Sequence, residues 1–202
     1  MSSLPTSPRS ASYERITKET SITISVDLDG SGTTDIETGL PFFGHMLDQL
    51  GRHGGFDLKV HAAGDLEIDA HHTVEDVGIA LGETFRNAWG DKKGVRRFAS
   101  NTVPLDEAAV EVVLDLSGRP YLHYAVDFPG EKILSDPPFD PQLVEEFWRA
   151  FVVASGITLH VVMHRGRNTH HIIEAMYKGV ARALRDAVRI ESDTLPSTKG
   201  TL

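Results

Sequence analysis

Two histidine pairs carry the most pointed chemistry in this sequence. His71-His72-Thr73-Val74-Glu75 and His170-His171-Ile172-Ile173-Glu174 share the pattern HHxxE. On a helix, the first His and the Glu are four residues apart and lie about 40° apart around the axis; the second His and the Glu are three apart, so either pair can converge on one ion. Adjacent histidines point about 100° apart and do not easily share one. One such helix therefore addresses two ions, and two helices suggest two ions, each with ligands from both copies or from neighbouring subunits. His45, one helix earlier, is a further candidate ligand. A lone histidine is usually a surface or satisfied core residue, but a motif doubled at matching positions reverses that expectation. The pattern also differs from the HExxH of zinc proteases, whose central Glu serves as a base.

The chain has no cysteine, which excludes disulfides, iron-sulfur clusters and thiolate-bound zinc. Imidazole and carboxylate ligands suit Mn, Fe, Co, Ni or Zn without choosing among them. Cations that could hold a phosphate are Arg97, Arg119, Lys178 and Lys199, with the hydroxyl of Ser197. Arginine offers a fork matched to phosphate oxygens and lysine a point charge. Of the other histidines, His53 is kept as a candidate for the site, whereas His61, His123, His160 and His164 read as structural.

Positioning these groups requires a packed core, and 202 residues at 40% hydrophobic composition can build one. The formal charge of −9, with acidic residues spread along the chain, makes nucleic acid a poor partner. No stretch has the length of a membrane span, and the polar, Pro/Ser-rich start reads as a disordered segment over residues 1–13 of a soluble, cytosolic protein.

Ile22, Ile24, Val26 and Leu28 alternate as in a half-buried strand, with a partner expected near Arg15 to Glu19. Pro41 opens a helix that Gly54-Gly55 stops. Strands are expected over Phe56 to Ala62 and Leu66 to Asp69, then a helix from about His72 to Trp89. The order recurs: a strand ending at Asp115-Leu116-Ser117-Gly118, a strand over Tyr121 to Phe128, a helix over Pro141 to Ser155, a strand over Ile157 to His164 and a helix over His171 to Val188. Asp27-Leu28-Asp29-Gly30 answers Asp115-Leu116-Ser117-Gly118, Phe56-Asp57-Leu58 answers Ile157-Thr158-Leu159, and the HHxxE copies answer each other. This is an internal repeat. The expected class is α+β: one pseudo-symmetric domain over 14–202, with halves 14–95 and 96–193 and a tail 194–202.

Five motifs then resemble one family: Pro41-Phe42-Phe43-Gly44-His45-Met46-Leu47-Asp48, His71-His72-Thr73-Val74-Glu75-Asp76, Leu116-Ser117-Gly118-Arg119-Pro120, His170-His171-Ile172-Ile173-Glu174-Ala175 and Pro196-Ser197-Thr198-Lys199-Gly200. In this order they resemble the imidazoleglycerol-phosphate dehydratases. The resemblance implies two sheets enclosing a layer of four helices, a homo-oligomer of 24 subunits with sites between them, and two Mn2+ per site. It implies metal ligands at His45, His71, His72, Glu75, His170, His171 and Glu174, phosphate groups at Arg97, Arg119, Lys178, Ser197 and Lys199, and an acid/base role for Glu19. In this pattern many members carry a ligand His where this chain has Glu146, so either Glu146 coordinates through oxygen or the site is one ligand short. They often carry Asp in place of Gly44.

The implied reaction removes water from imidazole glycerol phosphate to give imidazole acetol phosphate. The proton to be removed has no adjacent carbonyl to acidify it, so the imidazole ring must serve as the electron source that expels the hydroxyl. Two other readings of the residues compete: a binuclear hydrolase of a phosphorylated small molecule, and a metal-assembled shell without catalysis.

Overall fold

A computed structural model describes residues 9–202. The chain forms six elements and then the same six again. The first set is β1 (Ser10–Ile16), β2 (Thr20–Asp27), β3 (Thr34–Glu37), α1 (Pro41–Gly54), β4 (Asp57–Gly64) and α2 (His71–Trp89). The second is β5 (Phe98–Leu105), β6 (Ala108–Asp115), β7 (Tyr121–Ala125), α3 (Gln142–Ser155), β8 (Thr158–Arg165) and α4 (Thr169–Ala187). The sheets have matching orders, β1-β2-β4-β3 and β5-β6-β8-β7. In each, a parallel pair (β3 with β4, β7 with β8) is joined by a crossover helix, and the other pairings are antiparallel.

α2 lies on β1 and β2, α4 on β5 and β6, and across the middle α2 meets α3 while α1 meets α4. The fold is therefore α+β, with four helices between two sheets. The alternation in β2 does what its pattern requires: Ile22, Ile24 and Val26 are buried against the helices while Ser21 and Thr23 face out. Phe43, Phe85, Phe147, Trp148, Phe151 and Tyr177 fill the space between helices. Each such ring contributes roughly 1.5–3 kcal/mol when buried.

Several expectations are corrected. Ser10 to Tyr13, expected to be disordered, begin β1 and pair with β2 from Ser10↔Asp27 onward; residues 1–8 of that expected segment lie outside the described residues. Leu66 to Asp69 do not form a strand: Ile68 N–H donates to Asp65 C=O at 2.8 Å, closing a turn before α2. β3 and β5 were not anticipated, and β7 ends at Ala125. The tail folds back on the junction between the halves, with Gly94 N–H donating to Thr194 C=O at 2.9 Å and Arg97 Nη1 to Pro196 C=O at 2.8 Å.

Candidate functional site

Each HHxxE motif starts a helix of 19 residues. The start of α4 is fixed by the Asn168 side chain, which accepts from the backbone of His170 at 2.9 Å. The start of α2 is fixed by Asp69, which accepts from His71 N–H at 2.7 Å. Buried Asp76 ties α2 to the first two strands, accepting from Thr20 Oγ1 at 2.5 Å and pairing with Arg15 at 2.8 Å. These bonds satisfy backbone N–H groups at the helix starts and hold the histidines at defined rotations.

The structure brings His45, His170 and Glu174 together. Their ligand-type atoms all lie within 4.8 Å of one another. Nε2 of His45 is 3.3 Å and Nε2 of His170 is 2.9 Å from the same Glu174 oxygen, and Lys178 Nζ holds the other oxygen at 2.6 Å. Burial by itself would push the Glu174 carboxyl up; the bonds from Lys178, His170 and His45 outweigh it and hold it at about 2. Two imidazole nitrogens and one ionised carboxylate at this spacing suit a divalent ion in chemistry and in size. Gln49 links His45 to His53 along α1, at 3.5 and 3.2 Å. Burial and the nearby Lys178 and Arg182 push the His53 imidazole below its usual value.

The first-half counterpart is looser. His71 Nε2 stands 4.0 Å from Glu75. Glu146 lines the same cleft as His71, about 370 Å³ in volume, along with Asp69 and Asp140. His45 and Glu146 are each the fifth residue of their helix, α1 and α3. Glu146 therefore stands to the α2 motif as His45 stands to the α4 motif.

The second histidine of each motif turns away from the first, as the 100° argument requires. His72 Nδ1 lies 3.0 Å from Asp65 and 3.7 Å from Glu19 at the β1–β2 turn. His171 Nδ1 lies 2.8 Å from Glu107 at the β5–β6 turn. The bond from His171 and those from the backbone of Arg167 and Asn168 hold the Glu107 carboxyl down at about 2. Sequence reasoning missed Asp65 and Glu107. Glu107 could have been sought as the hairpin-tip counterpart of Glu19.

The anion candidates fall into two places. Arg97 forms a two-pronged pair with Asp115 at 2.7 and 3.2 Å, and Arg119 stands 4.0 Å from the same carboxylate. Ser197 lies in the tail segment beside them, its Oγ donating to Thr201 C=O at 2.8 Å and accepting from Lys199 N–H at 3.2 Å. Lys92, which sequence reasoning overlooked, donates to Leu116 C=O at 3.2 Å beneath this loop, and burial pushes its ammonium pKa down. Lys178 belongs instead to the Glu174 group. Arg97 N–H bonds Ala187 C=O at the far end of α4. With about 1.5 Å rise per residue, that end is about 24 Å from His171. One chain does not bring its anion end to its metal end.

The remaining histidines sit on the sheets. His61 meets Asp35 at 3.0 Å, His164 meets Glu111 at 3.1 Å, and the His123 and His160 rings lie 5.4 Å apart. No helix among the described residues is long and apolar enough to cross a membrane.

The family model described as "Imidazoleglycerol-phosphate dehydratase" matches residues 38–184. A protein of that name from Gluconacetobacter diazotrophicus is 56% identical over 197 residues, covering 96% of this chain and 98% of that protein. One from Acidothermus cellulolyticus is 52% identical, covering 98% and 95%. Among solved structures, the imidazoleglycerol-phosphate dehydratase of Staphylococcus aureus aligns with TM-score 0.80 and 38% identity over 90% of this chain and 99% of that one. The Pyrococcus furiosus IGPD in complex with (S)-C348 aligns with TM-score 0.80 and 35% identity over 94% and 99%. By sequence along nearly its whole length and by fold, the chain belongs to the imidazoleglycerol-phosphate dehydratase family, hydro-lyases of histidine biosynthesis.

Proposed function

We propose that this chain is a Mn2+-dependent dehydratase that converts imidazole glycerol phosphate to imidazole acetol phosphate in the cytoplasm. The observation that carries the metal reading is the convergence of His45, His170 and Glu174 from helices of opposite halves. The ligand set is completed by His71, His72, Glu75, His171 and Glu146, with two ions per site. Bound there, the ions supply Lewis acidity toward the ring nitrogens of the substrate.

The chain's own groups do the rest. Glu19, at a hairpin tip 3.7 Å from His72, is placed to move the proton on the carbon next to the one that loses hydroxyl. The ring electrons expel hydroxide, loss of the neighbouring proton restores the aromatic ring, and the resulting enol becomes the ketone. Arg97, Arg119, Ser197 and Lys199 anchor the phosphate and so fix the diol for this transfer, while His53 and Lys178 contact the substrate from the metal side. The separation of about 24 Å along α4 favours a site completed by other copies of the chain, in an assembly of 24 subunits.

The test is to strip the protein of metal, restore Mn2+, and measure ketone formation and inorganic phosphate together. Ketone formation only in the restored sample is the expected result. Phosphate release instead would replace the dehydratase by a hydrolase, and tight binding without turnover would leave a metal-assembled shell.

A further inference from the structure

The second histidines of the two motifs are gripped in the same way by residues that do not correspond in the repeat. Asp65 follows β4, and holds His72 Nδ1 at 3.0 Å. Glu107 sits between β5 and β6, and holds His171 Nδ1 at 2.8 Å. The position answering Asp65 after β8 is Gly166, and the residue answering Glu107 at the first hairpin is Glu19, 3.7 Å from His72. Inheritance from a duplicated half does not explain a contact that two different elements supply. A shared requirement on the ring does.

The details fit that requirement. Asp65 directs one oxygen at His72 while its other oxygen is buried without a partner among the described residues. Burying a carboxylate oxygen unpaired costs stability, so the residue is not explained by stability alone. Glu107 divides its oxygens: one accepts from the backbone N–H of Arg167 and Asn168 at 3.0 and 2.8 Å, the other meets His171. The loop that starts α4 is thus locked to the carboxylate that orients its histidine. Asp106 lies 3.8 Å from the opposite ring nitrogen of His171, beyond hydrogen-bond range.

We propose that Asp65 and Glu107 are positioning residues: each accepts from Nδ1–H, fixes the tautomer and ring orientation of His72 or His171, and so presents Nε2 outward as a ligand atom. An imidazole whose other nitrogen donates to a carboxylate is a more basic and better-aligned ligand. The inference rests on the reading above that these histidines bind metal.

The test uses the full chain, freed of metal and titrated with Mn2+ by calorimetry, as wild type and as Asp65→Asn and Glu107→Gln. The amides keep the shape, and Gln can still accept from the Arg167 and Asn168 backbone. Each variant is expected to bind Mn2+ about 10- to 100-fold more weakly at one class of site, with its melting temperature close to wild type and with Glu107→Asp restoring part of the affinity. Mn2+ affinity within twofold of wild type in both variants overturns the assignment, as does a fall in melting temperature at unchanged affinity. A wild-type protein that takes up no Mn2+ overturns the metal reading itself and this assignment with it.

Discussion

The two helix pairs that cross the middle of the molecule descend from one repeat, yet they differ in what lies between them. In the α1–α4 seam, His45, Gln49 and His53 on one helix face Glu174 and Lys178 on the other. In the α2–α3 seam the residues that answer Gln49, His53, Tyr177 and Ala181 are Ala150, Ala154, Gly78 and Gly82. There the backbones approach closely: a Cβ added at Gly78 would meet Phe147 C=O at 2.7 Å, and one at Gly82 would meet Phe151 C=O at 2.6 Å. Side-chain volume sets how near two helices come. The same pair of elements carries a row of polar side chains in one seam and a closed structural spine in the other.

The ends of the two seams differ for an electrostatic reason. Glu174 is clamped by Lys178, one turn on, and draws in two imidazoles. The residue answering Lys178 in α2 is Ile79, and the residue answering His45 is Glu146, which pairs with Arg149 of its own helix at 3.7 Å, so no lysine clamps Glu75 as Lys178 clamps Glu174. The looser spacing of His71 and Glu75, 4.0 Å, accompanies the loss of that clamp.

The strongest way to break this contrast is Glu174→Ala. It removes the common acceptor of the closed group, and turnover of imidazole glycerol phosphate is expected to fall by on the order of 10³, the equivalent of about 4 kcal/mol of transition-state stabilisation. Turnover near wild type would mean that the closed group is a surface ion-pair network and not the reacting end of the molecule.

Glu146→Gln sharpens the contrast at the other end. If the α2 group depends on a carboxylate where the α4 group uses an imidazole, the variant should lose about tenfold in Mn2+ affinity at one class of site and keep the other class unchanged, read by equilibrium dialysis. A parallel loss at both classes would show that the two groups do not bind independently.

How much of this was legible in the sequence depended on range. The HHxxE pairs could be placed because a helix fixes the angle between near neighbours, and the divergence of His71 from His72 follows from that angle alone. The repeat was legible from matched motifs, and with it the layered fold. β3 was not, since Thr34-Asp35-Ile36-Glu37 offers one apolar residue to an alternation test. β5 carries Asn101 and Pro104, which argue against a strand; Pro104 is tolerated because β5 lies at the sheet edge. Leu66 and Ile68 imitate alternation, but the hydrogen bond from Ile68 N–H back to Asp65 makes a turn and leaves Ile68 exposed. Asp65 and Glu107 were invisible because a carboxylate partner for a histidine is set by tertiary approach, which no local spacing encodes.

The smallest effect on chemistry, and a test of the spine itself, comes from Gly82→Ala. A methyl group helps an isolated helix by about 1 kcal/mol over glycine, but here it must enter space held by Phe151 C=O and by the Ala154 Cβ, 2.7 Å away. Overpacking of this kind costs roughly 1–3 kcal/mol, and backbone cannot rotate aside as a side chain can. The net expectation is a loss of up to about 2 kcal/mol in chemical denaturation, with kcat/KM per folded protein within about twofold of wild type because Gly82 lies about two turns beyond Glu75 along α2. A gain of about 1 kcal/mol, the full benefit of alanine over glycine in a helix, would show that the α2–α3 seam has space to spare, and the reading of it as a closed spine would fall.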